Sequence, residues 1–383
     1  MQLTPKHSAT GTTIFTVMSA LATQYNAINL SQGFPDFPID EALAKHLYDA
    51  ALGNYNQYAP MPGLPMLRQA IKDDFKQRYD IALDADTEIT VTPGATYAIY
   101  AAFTAILQAG DEVIVLEPAY DSYIPNIEMN GAKAICVPLK VPGFAVDWET
   151  VAKAISPKTK AIIINTPHNP TGAIWQKEDW DTLASLVKGT NIIILSDEVY
   201  EQLIFDEKPH YCVLQHPELK DRSFALYSFG KVFNNTGWKI GYCLANEAFT
   251  KAFRQVHQFM AFAVNTPGQY ALAQHLMHYK GLPVAKLMQQ KRDYFLQLLK
   301  DTPFTVQQVS AGSYFQVVSY EKISSLPDME FAQWLTKEYG VATIPVSAFY
   351  KNKKDDKLIR FCFAKKEETL LAAINKLKTI PIL

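Results

Sequence analysis

The sequence predicts an α/β fold, a large unit whose mainly parallel sheet is sandwiched by helices, followed by a second and smaller α/β unit. Three observations carry this. Short apolar or β-branched runs recur without polar alternation, as strands buried on both faces do. Helical patterns lie between them, as crossover connections in a parallel sheet require. Past Gly241 the texture changes to long helices and then to a shorter α/β alternation.

In chain order, helical patterns come first, at Glu41 to Ala51, Gly63 to Tyr79 and Ala95 to Gln108, the last an apolar run too long for a strand. Strand-like runs follow at Glu112 to Leu116, Ala134 to Pro138, Ala161 to Ile164, Ile192 to Leu195 and Phe224 to Tyr227, with a helix interposed at Gln176 to Val187. Three long helices are predicted next, Glu247 to Phe262, Pro267 to Tyr279 and Val284 to Lys300, with a hinge at Gly281 to Pro283. The remainder reads as strands near Ser313 to Val318 and Leu358 to Phe363, and helices near Asp328 to Glu338 and Glu367 to Lys378. Lys351 to Lys357 is a solvated basic patch.

Composition narrows the partners. With 383 residues, 48% hydrophobic and 19% charged, the chain is long enough for about two to three domains with a large buried core. A net charge of only -2 gives no nucleic-acid footprint, so small molecules are the expected partners. Met1 to Ala20 lacks the continuous apolar stretch of a secretory leader, and no run approaches the ~20 apolar residues of a membrane span. Cys136, Cys212, Cys243 and Cys362 are far apart with no Cys-x-x-Cys pair, which argues against a disulfide framework and a zinc site. A soluble, cytoplasmic protein with free thiols is the expectation.

Ligands of open parallel sheets collect at the carboxyl ends of strands. Three polar segments fall at such ends: Asn165 to Gly172, Asp197 to Tyr200, and Ser228 to Gly241 with Lys231 near its start. Alone, each also fits a structural part, namely an Asn-Pro turn, a helix-capping Asp-Glu pair, or a surface lysine. Their placement after successive strands singles them out. A lysine among small and glycine residues, preceded by a carboxylate and an amide, suits covalent attachment of an aldehyde cofactor, pyridoxal 5'-phosphate. Lys231 is then the amine, its pKa lowered from ~10.4, and once displaced by the substrate amine it moves the proton at the substrate α-carbon. Asp197 would keep the pyridine nitrogen protonated, and Asn169 and Tyr200 would reach the phenolic oxygen. Gly94, Ala95 and Thr96 open the long apolar helix and form a phosphate cradle, completed by Ser228 and Lys239.

Among six arginines Arg360 stands apart, because Leu358-Ile359-Arg360-Phe361-Cys362-Phe363 is otherwise an apolar strand. A guanidinium there requires an anion, either a structural carboxylate or the α-carboxylate of a substrate. Ser228-Phe229-Gly230-Lys231 also matches a Ser-x-x-Lys nucleophile motif, but the Ser-Asp-Asn and Lys-Thr-Gly strings of such hydrolases are absent.

Together these residues resemble the class I and II aminotransferases of the fold type I pyridoxal-phosphate enzymes, over nearly the whole chain. The segments Asn29-Leu30-Ser31-Gln32-Gly33-Phe34-Pro35-Asp36-Phe37, Asn56-Gln57-Tyr58 and Val256-His257-Gln258-Phe259 look closest to the methionine and kynurenine aminotransferase branch. The resemblance implies a large cofactor-binding domain over 41–281 and a small domain built from both chain ends, 1–40 and 282–383. It implies that Tyr120 stacks on the cofactor ring, that Gly33 and Arg360 hold the substrate carboxylate, and that Asn169 also contacts the substrate. Tyr58 would reach the phosphate of a neighbouring subunit, which makes the active unit a homodimer with sites at the interface. Phe15, Phe34 and Phe262, with Phe259 and Met260, would line an apolar, polarisable pocket for methionine or aromatic amino acids. The stretch Val256 to Thr266 offers no second arginine for a dicarboxylate side chain.

Ping-pong transfer to a 2-oxo acid is the implied reaction, with cysteine-S-conjugate β-lyase chemistry at the same site as the alternative. Three positions depart from the family pattern: Gly230 where Ser or Thr is frequent, Lys239 where Arg is frequent, and Tyr120 where kynurenine-type relatives often carry Phe.

Overall fold

Alternate residues of the buried strands enter two different cores, which is why the sequence shows no polar alternation there. Ile162 and Ile164 face one core while Ala161 and Ile163 face the other, and Ile114 and Leu116 divide from Val113 and Val115 in the same way. Each of these isoleucine, leucine and valine side chains, once fully buried, contributes on the order of 1.5–3 kcal/mol. The helix Lys177–Val187 covers the first face with Trp180 and Leu183, and the helix Ala95–Ile106 covers the second with Ala98, Ile99 and Phe103.

The structure is a computed structural model that describes residues 12–279 and 283–382. Gly281 and Leu282 of the expected hinge lie outside the described residues. In chain order the strands are β1 (Ile28–Asn29), β2 (Ile89–Thr92), β3 (Glu112–Glu117), β4 (Lys133–Pro138), β5 (Thr159–Asn165), β6 (Ile193–Asp197), β7 (Ser223–Ser228), β8 (Gly241–Leu244), β9 (Phe315–Ser319), β10 (Val341–Ala342), β11 (Ile344–Pro345) and β12 (Leu358–Cys362).

A seven-stranded sheet runs β2-β8-β7-β6-β5-β3-β4. Its pairs are parallel from β7 to β4, and β8 alone runs antiparallel between β7 and β2. Strands β2 and β8, only four residues each and set close to Gly-rich turns, leave too short a pattern in the sequence to predict. The register places Asn165 beside Asp197, and both Ser228 and Thr92 beside Gly241, so the polar residues of four strands share one edge.

Helix limits differ from the periodicity by a few residues, each for a local reason. The helix expected from Gly63 starts at Pro65, whose missing N–H costs nothing in the first turn, and ends at left-handed Asp80. The helix expected to reach Phe262 stops at Met260, because Phe262 adopts a left-handed φ of 61°. The helix Ile14–Gln24, capped by Thr13, lies outside the periodic segments that predict helices.

The remaining strands form an antiparallel sheet, β11-β12-β9, and a parallel pair, β1-β10, in which Ile28 near the amino end pairs with Val341. Leu30, Phe315, Phe361, Phe363 and Ile374 fill the core here, and Tyr200, Leu203 and Phe205 join it from beyond β6. The segment after Asp197 is therefore the seam between the large sheet and this smaller unit.

Candidate active site

At the carboxyl edge of the large sheet, against the smaller unit, lies a cavity of about 260 Å³. Lys231 enters it from the short helix Phe229–Val232, which directly continues β7. Partly buried in the cavity wall, its ammonium group has its pKa lowered to about 8 by desolvation, with the positive charges of Lys239 and Arg360 pushing the same way. The Nζ lies 3.5 Å from the Gly33 carbonyl and 5.7 Å from the ring centres of Tyr200 and Tyr314. Gly230 has a steric reason: a Cβ there would stand 2.9 Å from the Thr236 Cα, so a side chain at this position would require the turn holding Lys231 to shift.

Asp197 ends β6 with its carboxyl facing the cavity. Burial raises its pKa to about 6, against the stabilising hydrogen bond of Tyr123 and a weaker one from the Val199 N–H. The Tyr123 hydroxyl donates to Oδ2 at 2.5 Å and the Val199 N–H to Oδ1 at 3.4 Å. Asn165 ties this strand end to the next loop, donating from Nδ2 to the Asp197 carbonyl and accepting the Asn169 N–H at Oδ1, both at 2.8 Å. Tyr200 and Asn169 face the same space, as does Tyr120, whose hydroxyl is 3.3 Å from the Thr96 Oγ1. Burial pushes the Tyr200 phenol well up, so it remains a donor.

One end of the cavity is built for an anion. Gly94 caps the helix Ala95–Ile106 at a φ of 80° without a side-chain cap, and among the described residues no side chain hydrogen-bonds the first amides of that helix. The Lys239 ammonium lies 3.4 Å from where a Gly94 Cβ would be, and Ser228 lines the same end. Among the described residues no carboxylate pairs with Lys239.

Arg360 closes the opposite side. It is fully buried on β12, where Nη1 donates to Asn169 Oδ1 at 2.7 Å and Nη2 to the Ser31 carbonyl at 2.8 Å. Its Nε has no hydrogen-bond partner, and no acidic side chain forms an ion pair with it among the described residues. Burial lowers its pKa to about 10. Phe315 stacks on the guanidinium 3.9 Å from the ring centre, and Phe15 lies at 5.3 Å. Phe15, Gly33 and Phe34 complete the wall.

The cavity thus gathers Lys231, Asp197, Asn169, Tyr200, Tyr120, the Gly94-Ala95-Thr96 turn, Ser228, Lys239, Gly33, Phe15 and Arg360. It does not include Tyr58 or Phe262 of the same chain. Those two pack edge to face on the surface at 5.7 Å, 85% and 49% exposed. Sequence reasoning passed over Asn165, Tyr123 and Phe315 as site residues. Asn165 carries the signal used for Asp197, a polar residue ending an apolar strand, whereas Tyr123 and Phe315 have no local signal.

The site has what pyridoxal phosphate requires: an amine that loses its proton near neutral pH, a buried carboxyl, and a phosphate-sized turn of free amides with a cation beside it. The family model for aminotransferases of class I and II matches residues 25–377. The chain is 47% identical to the methionine aminotransferase of Escherichia coli K12, over 97% of its own length and 96% of that protein's. It is 33% identical to kynurenine–oxoglutarate transaminase 1 of Rattus norvegicus, over 94% and 93% of the two chains. A solved structure from Escherichia coli, described as having a methionine aminotransferase function, superposes with a TM-score of 0.96 at 46% identity, covering 99% of this chain and all of that one. The chain belongs to the class I and II aminotransferases, the fold type I enzymes that work with pyridoxal phosphate.

Proposed function

We propose that this aminotransferase moves the amino group of methionine, or of aromatic and kynurenine-like amino acids, to a 2-oxo acid by a ping-pong mechanism. The observation that carries the reading is the pairing, in one cavity, of an amine lowered to about 8 with a buried guanidinium whose Nε is unpartnered. An amino acid presents the two complementary groups, an amine and a carboxylate.

Lys231 would hold the cofactor, with Asp197 at its ring nitrogen, Asn169 and Tyr200 near its phenolic oxygen, Tyr120 on its face, and Gly94, Ala95, Thr96, Ser228 and Lys239 at its phosphate. When bound, pyridoxal phosphate supplies an aldehyde that carries the amino group and a ring that takes up the electron pair released at the α-carbon. Arg360 orients the substrate by its carboxylate in the forked geometry of a guanidinium. Its grip is strong because Phe315 and the strand around it exclude water. Lys231, once free, takes the proton from the substrate α-carbon and returns it on the other side of the exchange; a pKa near 8 suits both directions.

Specificity follows from the wall. Phe15 and Phe34 offer apolar surface for a thioether or a ring, and the names of the Escherichia coli and rat relatives agree with such donors. The same reading divides the chain into 41–281 and 1–40 with 282–383, the cavity lying at the seam. It also makes the active unit a homodimer. Tyr58 and Phe259, each 85% exposed, and Phe262 support this, since such aromatics favour a covered position. Four free cysteines support a reducing, cytoplasmic setting; among the described residues no helix is long and apolar enough to cross a membrane.

A panel of amino donors against one fixed 2-oxo acid tests the proposal. Methionine, phenylalanine and kynurenine are expected to exceed aspartate in kcat/KM by about tenfold or more. A dominant aspartate rate would overturn it.

A further inference from the structure

Asp197 is held asymmetrically. Its Oδ2 accepts a 2.5 Å hydrogen bond from the Tyr123 hydroxyl, while Oδ1 receives only the long 3.4 Å contact from the Val199 N–H. Tyr123 is itself 2% exposed, begins the helix Tyr123–Met129, and is braced by an edge-to-face contact with the Tyr120 ring at 5.7 Å. We propose that Tyr123 is a positioning residue: its hydroxyl keeps the Asp197 carboxylate charged and turns Oδ1 into the cavity, and so sets how tightly the cofactor ring is held.

The physical argument is a competition. The apolar strand around Asp197 favours the neutral acid, and a neutral acid pairs poorly with a protonated ring nitrogen. A short hydrogen bond from a neutral donor stabilises the charged form, and such bonds to charged groups are stronger than neutral ones. Tyr123 can only donate, because burial and the nearby Asp197 charge push its own ionisation far above neutral pH. The other groups facing Asp197 are Lys231, which favours its charge, Glu198, which opposes it, and the phenols of Tyr120 and Tyr200. Tyr123 alone among the side chains reaches the carboxylate oxygens by a hydrogen bond, among the described residues.

The inference rests on the reading of Asp197 as the partner of the ring nitrogen, and the experiment separates the two. Tyr123→Phe keeps the ring that packs on Tyr120 and removes only the hydroxyl. Apoprotein of the wild type, Tyr123→Phe and Asp197→Asn is titrated with pyridoxal phosphate by equilibrium dialysis from about pH 5.5 to about pH 9. Without the hydroxyl the Asp197 carboxyl takes up its proton at higher pH, so the dissociation constant rises about tenfold near neutral pH and the deficit shrinks as pH increases. Incorporating 3-fluorotyrosine at position 123 strengthens the donor and moves the pH profile the other way. A Tyr123→Phe constant within twofold of wild type at every pH, or a loss that does not vary with pH, overturns the proposal. If Asp197→Asn binds as tightly as wild type, the reading of Asp197 fails instead.

Discussion

Arg78, whose side chain is largely enclosed, and Arg360, which is fully buried, are held in opposite ways. Arg78 forms ion pairs with Asp74 and with Glu201, the latter at 2.5 Å, and donates to the Tyr79 hydroxyl at 2.7 Å. Burial opposes its charge, but Glu201, Tyr79 and Asp74 outweigh that and hold its pKa well above the ordinary value. Arg360, more deeply buried, meets only a neutral amide and a backbone carbonyl, keeps an unpartnered Nε, and has its pKa lowered. On the proposed function, the difference separates an arginine that completes a structure from one whose charge would be kept for a ligand. A saturated buried pair fixes its surroundings, whereas an unsaturated one costs stability that only an incoming anion offsets.

Substitutions at the two positions test that contrast. Arg78→Ala leaves Glu201 and Asp74 without their cation, and is expected to lower unfolding stability by about 3–5 kcal/mol in denaturant titration. The apparent KM for amino donors should hold in whatever protein remains folded. Arg360→Ala is expected to reverse the pattern: thermal stability near or above wild type, and kcat/KM reduced by about 10²-fold to 10³-fold for every amino donor, with Arg360→Lys intermediate. A large stability loss with unchanged kcat/KM would place Arg360 in the structural class.

The smallest effect concerns Lys231. Amine labelling of the apoprotein should show Lys231 titrating near pH 8 in the wild type. A neighbouring positive charge disfavours the ammonium form, so Arg360→Ala should move this midpoint upward, toward the ordinary lysine value, while substitution at Arg78 should leave it in place. A wild-type midpoint near 10 would remove the burial argument.

Lys231, Asp197 and Asn169 were legible because each follows an apolar run, and the chemistry of a strand end can be read locally. Arg360 was legible because a charge interrupting Leu358 to Phe363 violates the hydrophobic pattern. That it meets Asn169 and Ser31 rather than a carboxylate could not be read, since these partners are 191 and 329 residues away in the chain. Tyr123 was invisible for the same reason: nothing in its neighbourhood distinguishes it from a core tyrosine until β6 brings Asp197 to its hydroxyl.

The sequence by itself determined the parallel α/β architecture, the family, and the residue types of the site, because burial on both faces and polar strand ends leave local marks in the order of residues. Only the tertiary structure decided which carboxylates pair with structural cations and which face the cavity, and which hydroxyl meets Asp197. Those outcomes depend on register between strands and on the meeting of the two chain ends around Arg360. Such pairings are set by packing over long sequence separations, where no local pattern carries the information.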